Sequence, residues 1–82
     1  MSNEVTNLCG PIISQIRALT SPPITQEELT ARLQANGLDI DRATLAKIET
    51  QRRRVFDYEI IAFAEVLKTT PSKLLGLSLI HI

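Results

Sequence analysis

Histidine occurs once in this chain, at position 81, cysteine once, at position 9, and tryptophan not at all. One histidine and one cysteine supply neither a nucleophile–base pair nor the three or four ligands that hold zinc, so catalysis and metal binding are not expected. Three scattered glycines build no phosphate-cradling loop, and no cofactor is implied. Cys9 has no internal disulfide partner, which points to a reducing compartment. The N-terminal MSNEVTN has no basic patch followed by an apolar run, and no apolar run approaches the roughly twenty residues of a membrane span. The expected location is cytoplasmic, without membrane contact. With only Phe56, Tyr58 and Phe63 as aromatics, a core must be built from Ile, Leu, Val and Ala.

Net charge is also lacking: nine cations balance nine anions, which excludes a uniformly basic nucleic-acid binder. The distribution is uneven, however. Residues 1–41 hold Arg17 and Arg32 against Glu4, Glu27, Glu28, Asp39 and Asp41, a balance of −3. Residues 42–54 hold Arg42, Lys47, Arg52, Arg53 and Arg54 against Glu49, a balance of +4, and the remainder carries −1. The stretch DRATLAKIETQRRR, Asp41 to Arg54, therefore forms a basic edge on an acidic body. A short basic helix ending in three arginines suits a phosphate backbone.

Apolar residues make up 44 % of the 82, enough for one small folded domain. Residues 1–10 read as a flexible segment. Leu8, Ile12, Ile16 and Leu19 recur at helical steps, and Pro11 suits a first helical position, so a helix is predicted over Pro11–Leu19. Ser21-Pro22-Pro23 stops it. Thr25 with Glu28 forms a capping box for a second helix from Gln26, with Leu29 and Leu33 buried and Asn36-Gly37 at its end. Asp41 caps a third helix, Arg42 to about Thr50, with Leu45 and Ile48 inward and Arg42, Ala43, Ala46, Lys47 and Thr50 on the opposite arc. After a basic loop, Asp57 is expected to cap a fourth helix that buries Ile60, Ile61, Phe63, Ala64 and Leu67. A short fifth helix opens at Thr70-Pro71 and is closed by Gly76. The tail 77–82 is apolar.

The ordered series Thr25-Gln26-Glu27-Glu28-Leu29, Ala43-Thr44-Leu45-Ala46-Lys47-Ile48-Glu49, Arg52-Arg53-Arg54, Asp57 to Leu67 and Leu74-Leu75-Gly76 resembles the Cro/C1-type (XRE) helix-turn-helix family over residues 11–76. The resemblance implies an all-α, lambda-repressor-like domain of five short helices that binds double-stranded DNA with its third helix in the major groove. It assigns base contacts to Arg42, Ala43, Thr44 and Lys47, and phosphate contacts to Gln26, Arg52, Arg53 and Arg54. It also implies a structural pair, Arg17 with Glu49, that ties the third helix to the core. The chain departs from the family pattern in several places. Leu33 to Leu45 is a step of twelve, longer than the compact family turn. Thr30 stands where Ala is common, Thr50-Gln51 replaces Asn-Gly, and helix one keeps only Arg17 as a cation.

The expected function is that of a small transcriptional regulator, a repressor acting as a homodimer on an operator. The resemblance fits a phage Cro-like repressor, a controller of a restriction-modification operon or an antitoxin equally well. The rival is a helix-turn-helix module that binds a protein, for example a toxin, with little or no affinity for DNA, because fold does not fix function. Residues 77–82, with exposed parts of helices four and five, are the candidate dimer contact. An alternative use of the tail is to cover the chain's own core.

Overall fold

In a computed structural model that describes residues 7–75, the chain forms α1 Gly10–Leu19, α2 Gln26–Ala35, α3 Arg42–Glu49, α4 Asp57–Leu67 and α5 Pro71–Leu74, with no strand among the described residues. The protein is a small all-α domain. Expectations for Gly76, the tail 77–82 and residues 1–6 lie outside the described residues.

Local chemistry sets most helix starts. Thr25 Oγ1 accepts from the Glu28 N–H at 3.0 Å, Asp41 Oδ1 from Thr44 at 2.8 Å and Thr70 Oγ1 from Lys73 at 3.2 Å. Half of the capping box expected at Thr25 is missing, because the Glu28 carboxylate pairs with Arg32 one turn on, at 2.7 Å. The start of α4 needs a larger correction. Asp57 is the first helical residue rather than the cap, and the N–H of Phe56 is taken by the Glu59 carboxylate at 2.9 Å. Glu59 is buried, and a buried carboxylate needs every donor within reach.

Three helix ends are closed by paired back-bonds around a left-handed residue, that of α4 by the Thr69 N–H to Ala64 O and the Lys68 N–H to Glu65 O with Lys68 at φ +58°. At α2 the Leu38 N–H reaches Leu33 O and the Gly37 N–H reaches Gln34 O, with Gly37 at φ +101°. At α3 the Arg52 N–H reaches Lys47 O and the Gln51 N–H reaches Ile48 O, with Gln51 at φ +65°. Gln51 thus takes a conformation that glycine or asparagine fills more easily. Its side chain is held in exchange, donating to Asn7 O at 3.0 Å.

The core comprises Ile13, Leu29, Leu33, Leu45, Ile48, Phe63 and Leu74, all wholly buried, with Ile24, Leu38, Ile40 and Leu67 around them. The buried stripe of α1 is not the one predicted. Ile13 is fully covered, with Cys9 one turn before it and Ile12 and Ile16 alongside, whereas Leu8 and Leu19 are 64 % and 74 % exposed. The cause is Gly10. A Cβ there would overlap the carbonyl oxygen of Ile48, so the first turn of α1 lies directly on the last turn of α3, and this contact fixes the rotation of α1. On α4 Phe63, Ala64 and Leu67 are buried together with Ala62 and Glu59. Ile60 is half-buried, and Ile61 faces outward.

The segment expected to be loose up to residue 10 is structured from Asn7 onward. Asn7 Nδ2 donates to Ile48 O at 3.2 Å and Arg53 O at 2.8 Å, while its Oδ1 accepts from the Gly10 N–H at 2.6 Å. One side chain therefore pairs the Arg53 carbonyl of the loop and adds a second donor to Ile48 O, which the Gln51 N–H already reaches. These contacts make α3 the central element, packed on both α1 and α2.

Gly10→Ala is expected to cost about 2–3 kcal/mol by overpacking. Gly37→Ala, in open space but at positive φ, is expected to cost about 1 kcal/mol. Urea unfolding followed by circular dichroism measures both, and a Gly10→Ala cost no larger than that of Gly37→Ala contradicts the packing described.

Candidate nucleic-acid interface

α3 is held from beneath and open above. Leu45 and Ile48 are wholly buried, while Arg42, Ala43 and Lys47 are exposed and Thr44 and Ala46 are half-buried. The outward arc thus sets two small side chains between two cations, as the sequence leads one to expect. Between this arc and the start of α2 lies a hollow of about 270 Å³ lined by Gln26, Arg42, Ala43 and Ala46. A second hollow of about 460 Å³ adjoins it, lined by Arg17, Thr25, Gln26, Glu27 and Arg42.

The far end of α3 is fixed by one carboxylate. Glu49, whose side chain is 6 % exposed, accepts from Arg17 Nε and Nη2, both at 2.9 Å, and from Gln26 Nε2 at 3.0 Å. Arg17 Nη1 donates to Ile24 O at 2.9 Å, so the guanidinium also secures the turn after α1. The structure thus brings Arg17 and Glu49 together and adds Gln26 to the pair. A forked, charge-assisted contact of this kind specifies geometry as well as energy.

Gln26 has a structural role beside the phosphate contact that the resemblance assigns it: its side-chain nitrogen donates one hydrogen to Glu49 and keeps a second. Arg53 is more firmly engaged. Its two terminal nitrogens fork onto Glu59 at 3.0 and 2.9 Å, its guanidinium lies 5.8 Å from the centre of the Phe56 ring, and the Glu59 side chain is 3 % exposed. Arg53 is a structural anchor, because withdrawing it would leave a buried carboxylate without its charged partner. Arg52 and Arg54 are exposed, and with Lys47 they form no ion pair among the described residues. Arg42 stands 3.9 Å from Glu27 with both side chains largely exposed, a contact weak enough to be exchanged for another partner.

Sequence reasoning missed Asn7 and Glu59. For Glu59 a signal existed: a carboxylate three residues past Phe56 is at capping distance. Asn7 left none, because its partners lie 41 and 46 residues along the chain.

Titration follows the same geometry. Burial pushes the Glu59 carboxyl up, but the Arg53 guanidinium and the Phe56 N–H outweigh burial and hold it below its ordinary 4.5. The Thr44 contacts hold Asp41 below its ordinary 3.8. Burial raises the Cys9 thiol, which keeps it protonated and inert. Among the described residues no three His, Cys, Asp or Glu side chains gather into a metal site, and no helix is long and apolar enough to cross a membrane.

No family model, curated protein or solved structure matches this chain. The class that its own coordinates define is a five-helix all-α domain with a laterally clamped third helix.

Because the folded Glu59 titrates below its ordinary value, its pair with Arg53 contributes stability fully above about pH 4.5 and loses it as pH falls through the folded value. Urea midpoints should drop below that pH. Glu59→Gln should cost about 3 kcal/mol at pH 7, the low end for breaking a buried pair because Arg53 keeps some solvent. It should also flatten the acid limb, leaving the contribution of Asp41. An unchanged acid limb contradicts the assignment.

Proposed function

We propose that this chain is a sequence-specific double-stranded DNA-binding protein, a small transcriptional regulator of helix-turn-helix type that represses as a homodimer in the cytoplasm. One observation carries the reading: the outward arc of α3 offers Arg42, Ala43, Ala46 and Lys47 while buried groups fix its other side. In this reading α3 lies in the major groove. Arg42 forks onto a guanine, Ala43 touches a thymine methyl group, and Lys47 reaches a base or a phosphate. Half-buried Thr44 reaches a base only at the edge of the contact. Arg52 and Arg54 follow the flanking strand, and the start of α2 presents N–H groups to a phosphate. The resemblance to the Cro/C1-type family supports the same docking mode.

The rival reading is a protein-interaction module, such as an antitoxin binding a toxin. One feature favours it: an exposed apolar patch at the start of α4, which is remote in character from the basic arc. The two readings differ in what the arc does.

Selection of bound duplexes from a random pool, followed by affinity against salt, tests the reading. With Lys47, Arg52 and Arg54 on phosphates, six cations act per dimer and the log–log salt slope should be about −5. Arg42→Ala should cost about 1–3 kcal/mol and relax preference at one base pair. Arg54→Ala should lower the slope by about 2 per dimer with preference unchanged. No selected sequence, together with no duplex affinity at low salt, rules the reading out.

A further inference from the structure

We propose that residues 76–82 of this chain dock in the groove between α1 and the end of α4 and so complete the core of their own copy. The sequence of α1 and the residues before it carries two apolar stripes, and the core takes only one. Cys9 and Ile13 are buried, whereas Ile12 and Ile16 are half-covered and Leu8 and Leu19 lie open. Beside this second stripe runs a hollow of about 380 Å³. Half-buried Ile12 and Ile16 and buried Leu67 line its apolar side, and exposed Lys68 and Lys73 stand at its edge. Apolar side chains that face a hollow lack the partner atoms a packed interior supplies.

The chain supplies a cover of its own. Leu74 is wholly buried and Leu75 half-buried, so the backbone still lies on the body at the last described residue, two positions past Lys73 of the groove. Residues 76–82, GLSLIHI, follow at once, with Leu77, Leu79, Ile80 and Ile82 and no Asp, Glu, Lys or Arg. Fully extended, seven residues reach about 23 Å. The step from Ile12 to Ile16 along α1 is only about 6 Å. Charge points the same way. Lys68 and Lys73 form no ion pair among the described residues. A segment without Lys or Arg meets no repulsion there, and the lysine stems can lie along its apolar side chains while the ammonium groups stay in water. A tethered segment also meets its groove at an effective concentration in the millimolar range, which a free competitor must exceed.

Docking withdraws two adjoining apolar surfaces from water in one step, the spare stripe of α1 and the tail. It assigns the tail to the copy that carries it, not to a second one. None of the groove residues belongs to the arc of α3 or to the basic loop, so the inference stands or falls apart from the DNA reading.

Methyl NOE spectroscopy on the full wild-type chain tests the docking. In a uniformly isotope-labelled sample, tail methyl groups of Leu77, Leu79, Ile80 and Ile82 should show cross-peaks to those of Ile12, Ile16 and Leu67. In an equal mixture of labelled and unlabelled chains, filtered for contacts between copies, those cross-peaks should be absent. Cross-peaks that survive the filter put a second copy's tail in the groove and overturn the inference. So do tail methyl groups without contact to α1, or with contacts to Phe56, Tyr58 and Ile61 instead. A double-mutant cycle in urea gives an independent measure. The tail variant Leu79→Ser with Ile80→Ser, and the groove variant Ile16→Ser, should each raise the unfolded-to-folded ratio about tenfold or more. Combined, they should raise it by clearly less than the product of the two, because either change already spoils the same contact. A combined effect equal to that product overturns the inference.

Discussion

The arrangement of the domain depends on the Glu49 carboxylate. It sits at the C-terminal end of α3, where the helix dipole disfavours negative charge, and it is almost wholly removed from water. Such a group is tolerated only where donors converge on it. Arg17 from α1 and Gln26 from α2 both do so, and the bond from Arg17 to Ile24 O carries the constraint into the connection between those helices. Three helices are therefore tied at one point. The outward arc of α3 cannot rotate without breaking charge-assisted bonds. Apolar packing by Leu45 and Ile48 holds α3 to the core, and Glu49 fixes the angle at which it is held.

The other end of the same problem is the loop after α3. Its carbonyls have no helical partners, and three adjacent arginines repel one another. Asn7 takes the Arg53 carbonyl and also reaches Ile48 O in the last turn of α3, Gln51 accepts a left-handed backbone and bonds back to Asn7, and Glu59 neutralises the middle arginine. Arg52, Arg53 and Arg54 are alike in sequence and differ in use. The middle one anchors the loop to α4, and the outer two remain in solvent. A basic run is thus better understood as one structural cation flanked by two available ones than as a uniform charge.

Helix positions were legible because their determinants are local. Thr25, Asp41 and Thr70 each cap a helix within three residues of themselves, Pro11 and Pro71 sit in first turns, and Gly37 ends α2. The inward face of α3 was legible too, since Leu45 and Ile48 are its only large apolar residues. The face of α1 was not, because two overlapping apolar stripes fit its sequence, and the choice between them is made by the approach of Gly10 to Ile48. Glu59 and Arg53 look like surface residues until the burial of Glu59 is known. Ile61 continues an apolar run yet faces outward, because the side of α4 that packs on the core is centred on Phe63, with Glu59 and Leu67 one turn to either side, and Ile61 falls away from it. Local signals gave the elements, and contacts distant in sequence decided rotation and pairing.

The central claim is that the exposed arc of α3 meets a duplex while its clamped side stays intact. Amide chemical-shift mapping by NMR, with a selected duplex titrated into the full chain, tests this most directly. The account expects shifts to concentrate at residues 42–47, at Arg52 and Arg54 and at the start of α2, with the Arg17, Gln26 and Arg53 side-chain N–H signals still hydrogen-bonded. Shifts confined to α4 and α5, or none at saturating duplex, would contradict it.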